Sequence, residues 1–276
     1  MAEKFNIRLL DQTLFDDAKR ISSFSLTIRV ISFAIGVGVL LFSISFQQLP
    51  FVIAIISIFA ELLQWRSDHV KKIAESLLRK LEYQDGLGWK ISKIEISDLL
   101  ARSPIYIRKS ITNRNPTYQY YDNTEELGIK RLLENLVESA WWSKHLSETA
   151  GHFFTLITSL IILGSVIVLI ISIDSIQNFS VLANISRIIT STLLLLFSLR
   201  LIRQSSDFYS FSRLAATSEN KATELLQSGN YDKDRSIKVL IDYQFGRGGA
   251  PIIPTWIWKI RRSVLNELWA AHKQQD

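Results

Sequence analysis

Residues 153–173 read FFTLITSLIILGSVIVLIISI, 21 positions without a charge, fifteen of them Ile, Leu, Val or Phe. At ~−0.5 kcal/mol for each such side chain, transfer into a bilayer is favourable by roughly 7 kcal/mol, so the stretch reads as a transmembrane helix. Val181 to Ile202 follows with thirteen such residues, one internal Arg187 and Arg200 near its end. Upstream, Leu26 to Phe46 and Pro50 to Gln64 form another apolar pair, with Arg29 at the entrance and Glu61 at the exit. The expected fold is therefore an all-α membrane protein with four transmembrane helices in two hairpins, spans 26–46 and 50–64, then 153–173 and 181–202.

Composition agrees with blocks rather than with an evenly mixed soluble chain. The 276 residues are 47% hydrophobic and 21% charged, yet the mean hydropathy is +0.15, which requires the apolar residues to be concentrated. There is no cysteine, so disulfide frameworks, thiolate metal sites and Cys nucleophiles are excluded.

Orientation follows from the 32 basic residues. Five lie in 1–29, fourteen in 66–152 and eleven in 203–276, whereas the short loops Gln47–Pro50 and Asp174–Ser180 hold none. The positive-inside bias then puts both termini and the segment between the hairpins in the cytoplasm. The expected organisation is a cytoplasmic amphipathic helix over 1–25, a hairpin over 26–64, a cytoplasmic helical insert over 65–152, a second hairpin over 153–202 and a cytoplasmic helical region over 203–276. The N-terminal stretch mixes acids and bases without an apolar core, so no cleavable signal peptide is expected there.

The regions outside the hairpins carry helical periodicity. Ile7, Leu10, Leu14, Ala18 and Ile21 recur at three and four, and packing against the cytoplasmic domain is expected for this stripe rather than a resting place on lipid. Val70, Ile73, Leu77, Leu78 and Leu81 extend the second span as a stem until Asp85-Gly86. Asn123 with Glu126 reads as a capping-box start for a helix through Ile129, Leu132, Leu133, Leu136, Val137 and Ala140. Phe208, Phe211, Leu214, Ala215, Ala222 and Leu225 extend the fourth span to a stop at Ser228-Gly229-Asn230. Each half thus repeats hairpin, stem, Gly break, short helix and a Pro-aromatic-basic segment, an order that fits duplication or coincidence in a helical chain.

No catalytic or metal-ligand set is visible. The four histidines have no ligand spacing, and Gly246-Arg247-Gly248-Gly249 lacks the Lys-Ser/Thr and the preceding strand of a nucleotide loop. An ion-coupled transporter would carry acids near the bilayer centre, but Glu61 lies near a boundary and Asp174 outside. Two features remain. Thr158, Ser165 and Ser172, then Asn184, Ser191, Ser198 and Ser205, recur every seven residues on one helix face, which serves close packing or lines a wet path together with Arg187. Aromatic residues alternate with bases at Arg102, Tyr106 and Arg108, and again at Arg247, Trp256, Trp258, Arg261 and Arg262. Stacking faces beside guanidiniums suit a small nucleotide-like anion better than duplex nucleic acid, while a solvated face with interfacial Trp is the simpler alternative.

The two-hairpin layout over essentially the whole chain, with the tail Ala250-Pro251-Ile252-Ile253-Pro254-Thr255-Trp256-Ile257-Trp258-Lys259 running into Asn266-Glu267-Leu268-Trp269, resembles the four-transmembrane (SMODS-associated) effector family of bacterial cyclic-oligonucleotide anti-phage systems, CBASS. The resemblance implies a non-enzymatic effector in the bacterial inner membrane. A cyclic oligonucleotide from a separate nucleotidyltransferase would activate it, as a homo-oligomer, to form a pore or disrupt the bilayer, with no other cofactor. The alternative is a channel or transporter unrelated to nucleotides.

Overall fold

The computed structural model describes residues 6–41, 49–111, 121, 123–174, 201–229 and 231–273. All regular secondary structure among them is α-helical: α1 Ile7–Leu41, α2 Leu49–Leu87, α3 Lys93–Arg102, α4 Ile105–Ile111, α5 Ile129–Asp174, α6 Leu201–Gln227, α7 Lys233–Gly249 and α8 Thr255–Lys273. They group into two compact units, the first from 1–19, 67–149 and 208–276, the second from 20–66 and 150–207.

The first unit contains two apolar clusters. One joins Leu10, Leu14 and Ala18 of α1 to Val70, Ile73, Ala74, Leu77 and Leu81 of α2, Leu99 of α3 and Ile107 of α4. The fours and threes in these numbers put each set on one helix face, and each fully buried Leu contributes ~1.5–3 kcal/mol. The amphipathic stripe of α1 therefore packs on protein, as its spacing predicts. The other cluster joins Leu132, Leu133, Leu136 and Val137 of α5 to Phe211 and Ala215 of α6 and to Val239, Leu240 and Tyr243 of α7.

Helix ends follow local chemistry, with two departures from the sequence expectations. Gly86 does not stop α2. The helix runs to Leu87, and Gly88 takes the positive φ of 73° that a residue without Cβ adopts at a helix C-terminus. Gly229 does the same after α6 with φ 65°. Asn123 does not cap α5, which begins at Ile129. Its Oδ1 instead accepts from the Glu125 N–H at 2.9 Å and its Nδ2 donates to Glu134 and Asn135. The capping box lies at Ser92 and Glu95, where each side chain accepts the other's backbone N–H. A hydrogen bond from Lys80, then those from Ser92, hold the Glu95 carboxyl down at about 2.

In the second unit, Ser25 of α1 donates to the Ala60 carbonyl at 2.7 Å and Arg29 pairs with Glu61 at 2.5 Å. Between α5 and α6, Thr155 and Ser205 share a 2.5 Å hydrogen bond, and Ser205 also donates to the Gly151 carbonyl. Among the described residues no helix is long and apolar enough to cross a membrane. Of the stretch 181–202, only Leu201 and Ile202 are described.

Candidate functional site

The first unit is organised around a buried ionic cluster that α1, α2 and α7 assemble. Arg247, in the last turn of α7, donates to Glu75 at 3.0 Å and forks across both oxygens of Glu82 at 2.5 and 3.0 Å. Glu82 also accepts from Gln244 at 2.7 Å and lies 3.5 Å from the Tyr121 hydroxyl. The planar guanidinium satisfies two carboxylates, and its outer face lies over the Tyr243 ring at 5.3 Å. Burial pushes the Tyr243 phenol up to about 12. Lys71 completes the arrangement by donating to the carbonyls of Arg247, Gly248 and Ala250 at the end of α7, where the Arg247 carbonyl also accepts from the Ala250 N–H at 3.2 Å. Burial lowers its pKa.

Asp11 is the anomaly in this cluster. It is 4% exposed, and its Oδ1 has no hydrogen-bond partner. Burial first, then the Glu75 and Glu82 carboxylates, push its carboxyl well above the ordinary range, opposed by Arg247 and Arg8. Because the folded chain holds this proton more tightly than the unfolded one, the associated stability is present below the ordinary carboxylate range and is lost as pH rises through the raised value. The wild-type unfolding free energy is expected to fall by up to ~1.4 kcal/mol per pH unit over that window. Asp11→Asn should remove this slope in denaturant titrations at a series of pH values; an unchanged slope would show that Asp11 is ionised in the fold.

The structure divides the aromatic-basic residues proposed from sequence. Arg247 belongs to the buried cluster, and Gly246, Gly248 and Gly249 lie inside α7 rather than in an open anion-binding loop. Packing is tight at the first of them: a Cβ on Gly246 would come within 1.8 Å of the Leu214 side chain. Tyr106 is 41% exposed, with its hydroxyl on the Asp17 carboxylate. Arg102 is exposed in the last turn of α3, and Arg108 is half-buried in α4. Trp256 and Trp258 are exposed in the first turn of α8, Arg261 is half-buried, and Arg262 is exposed with its guanidinium 4.7 Å from the Trp258 ring centre.

The two Pro-containing segments form matching helix starts. Ile107 donates to the Pro104 carbonyl at 3.1 Å and Ile257 to the Pro254 carbonyl at 3.0 Å. Both isoleucines are 1% exposed, and each follows an exposed aromatic, Tyr106 or Trp256. The fixed φ of proline favours such an entry to a helix. Ile252 packs on the cluster that contains Ile107.

Of the small polar residues, Thr158 is buried and bonds the Phe154 carbonyl at 2.7 Å. Ser165 and Ser172 lie on α5 with side chains outside the described residues, and Arg187, Ser191 and Ser198 are themselves outside them.

A separate cleft of about 650 Å³ opens between α5, α6 and α8, with Glu134, Glu138, Lys130, Tyr231, Trp269 and Lys273 among its lining. Lys130 is taken by Glu125 at 2.8 Å and Glu134 at 3.8 Å. With three glutamates against two lysines in its wall, the cleft does not favour a ligand bearing several phosphates. None of the sequence-proposed aromatic-basic residues lines it. The buried cluster was missed from sequence, although Lys71, Glu75 and Glu82 recur at four and seven beside an apolar stripe, a spacing that puts them on one buried helix side. No protein-family profile, no curated protein and no solved structure matches the chain.

Proposed function

We propose that the chain is a multi-pass effector of a bacterial inner membrane, with both termini cytoplasmic, that acts as an oligomer to breach the bilayer when a cyclic oligonucleotide engages its first unit. The observation that carries the membrane part is the surface of the second unit. Ile55, Ile58, Leu62, Leu156, Leu160 and Leu163 are exposed there, Ile58 at 63% and Leu160 at 58%. Water would penalise such a surface on α2 and α5, whereas hydrocarbon accommodates it. In this reading the four apolar stretches are the spans, and the Arg29–Glu61 pair neutralises two charges near one membrane boundary.

The nucleotide part rests on the family resemblance and on Arg102, Arg108, Arg261 and Arg262, which lie outside the buried cluster. With Arg247 committed to Glu75 and Glu82, the candidate contacts for phosphate contract to these arginines, with Tyr106, Trp256 and Trp258 as stacking faces. A channel or transporter without nucleotide control is the second reading, and the loss of Arg247 as a ligand contact favours it.

Expression of the chain alone is expected to be tolerated. Expression with a nucleotidyltransferase that makes the activating messenger is expected to collapse the membrane potential reported by a voltage-sensitive dye. Unchanged potential and continued dye exclusion under saturating messenger would remove the pore reading.

A further inference from the structure

We infer that α8 lies along an anionic lipid headgroup surface, through the face formed by Trp256, Ile260, Val264 and Leu268; this rests on the membrane reading of the chain. The helix carries more apolar surface than the protein covers. Ile257 and Leu265 are buried at 1% and 0%, while Trp256, Ile260, Val264 and Leu268 are exposed at 39%, 69%, 46% and 48%. Steps of four residues drift only ~40° past a full turn, so these four side chains form one slanted stripe beside the buried side. A helix whose apolar face is wider than its contact with its own domain requires a second apolar neighbour.

Charge selects that neighbour. α8 carries Lys259, Arg261, Arg262 and Lys273 against the single acid Glu267. Two copies of α8 packed together would bring these cations against one another, whereas phospholipid headgroups supply the missing anions. Trp256 and Trp258 at the helix start have the amphipathic rings that favour the headgroup level, a placement that withdraws them and Arg262 from the candidate nucleotide contacts.

The attachments of α8 agree. Just before it, the Ala250 carbonyl accepts from Lys71, seven residues beyond Gln64 in the sequence. Near its C-terminus, the Trp269 ring lies 5.1 Å from that of Trp141, twelve residues before Phe153. Both ends of the helix are held to stems close, along the chain, to where apolar stretches begin or end.

The absence of cysteine permits a direct test in the full chain. Ile260→Cys and, separately, Leu160→Cys are labelled with an environment-sensitive fluorophore. Each is reconstituted at one copy per nanodisc of phosphatidylcholine, alone or mixed with phosphatidylglycerol. The Leu160 label should report hydrocarbon in both discs. The Ile260 label should shift to the blue and become accessible to a lipid-borne quencher in the anionic discs, with at least a fivefold weaker quenching in neutral ones, and Lys259→Glu with Arg262→Glu should abolish the difference. An Ile260 label that stays in water in both discs, while Leu160 reports lipid, would overturn the α8 proposal alone. A Leu160 label in water would overturn the membrane reading and the proposal with it. Shielding of Ile260 that ignores lipid charge and appears only with several copies per disc would assign the stripe to a second copy instead.

Discussion

Replacement of Arg247 by alanine should destabilise the first unit by about 3–5 kcal/mol, a loss comparable to a third or more of a typical domain's stability. The guanidinium is the cation that Glu75 and Glu82 share, and both carboxylates are about 4% exposed in their side chains. Without it they would be left facing each other and Asp11 in a water-poor interior. Chemical denaturation of the purified protein in detergent or nanodiscs is the measurement. The companion variant Glu82→Gln should cost less, since it removes only one of the two carboxylate charges, leaves Arg247 paired with Glu75 and keeps an acceptor oxygen for Gln244. If Arg247→Ala unfolds like the wild type and only ligand binding falls, the residue is a ligand contact and the structural assignment fails.

The second large effect is expected at Gly86. Its carbonyl accepts from the Gly128 N–H at 2.8 Å, and a Cβ there would lie 2.5 Å from Leu132 Cδ1 and 3.0 Å from the Leu132 Cα and Cβ. The methyl terminus could rotate away, but the Cα belongs to the backbone of α5. Gly86→Ala must therefore push α2 and α5 apart, at about 3 kcal/mol, near the upper end for overpacking. The double variant with Leu132→Ala separates the two contributions. Loss of the Leu132 side chain relieves the closest clash but not that with the backbone, so stability should remain well below wild type. Complete rescue would show that only the side chain was in the way.

These two sites also show what was legible in the chain beforehand. The stripes Leu10-Leu14-Ala18 and Val70-Ile73-Leu77-Leu81 could be read directly, because each helix buries one face and the spacing of apolar residues records it. Helix ends were less legible. Asn123 and Glu126 have the spacing of a capping box, yet Gly128 separates them from the first turn of α5, while Ser92 and Glu95 carry the same signal where it operates. The ion pairs of Arg247 were not legible for a different reason. Among aromatics and glycines this arginine resembles a phosphate ligand, and its partners lie 172 and 165 residues away, a separation that no local pattern reveals. The constraint at Gly246 is equally remote in sequence, since what meets a side chain there is Leu214 on another helix.

The assembly of the first unit from residues 1–19, 67–149 and 208–276 sets an order on its biosynthesis. Asp11, Glu75 and Glu82 emerge from the ribosome early, and the guanidinium that neutralises two of them follows Glu75 by 172 positions. At ~5–20 residues per second the acidic set waits on the order of ten seconds or more. During that interval the apolar stripes of α1 and α2 can already meet, but closing them over ionised carboxylates is unfavourable. The unit can thus close fully only on a chain that has been translated as far as α7.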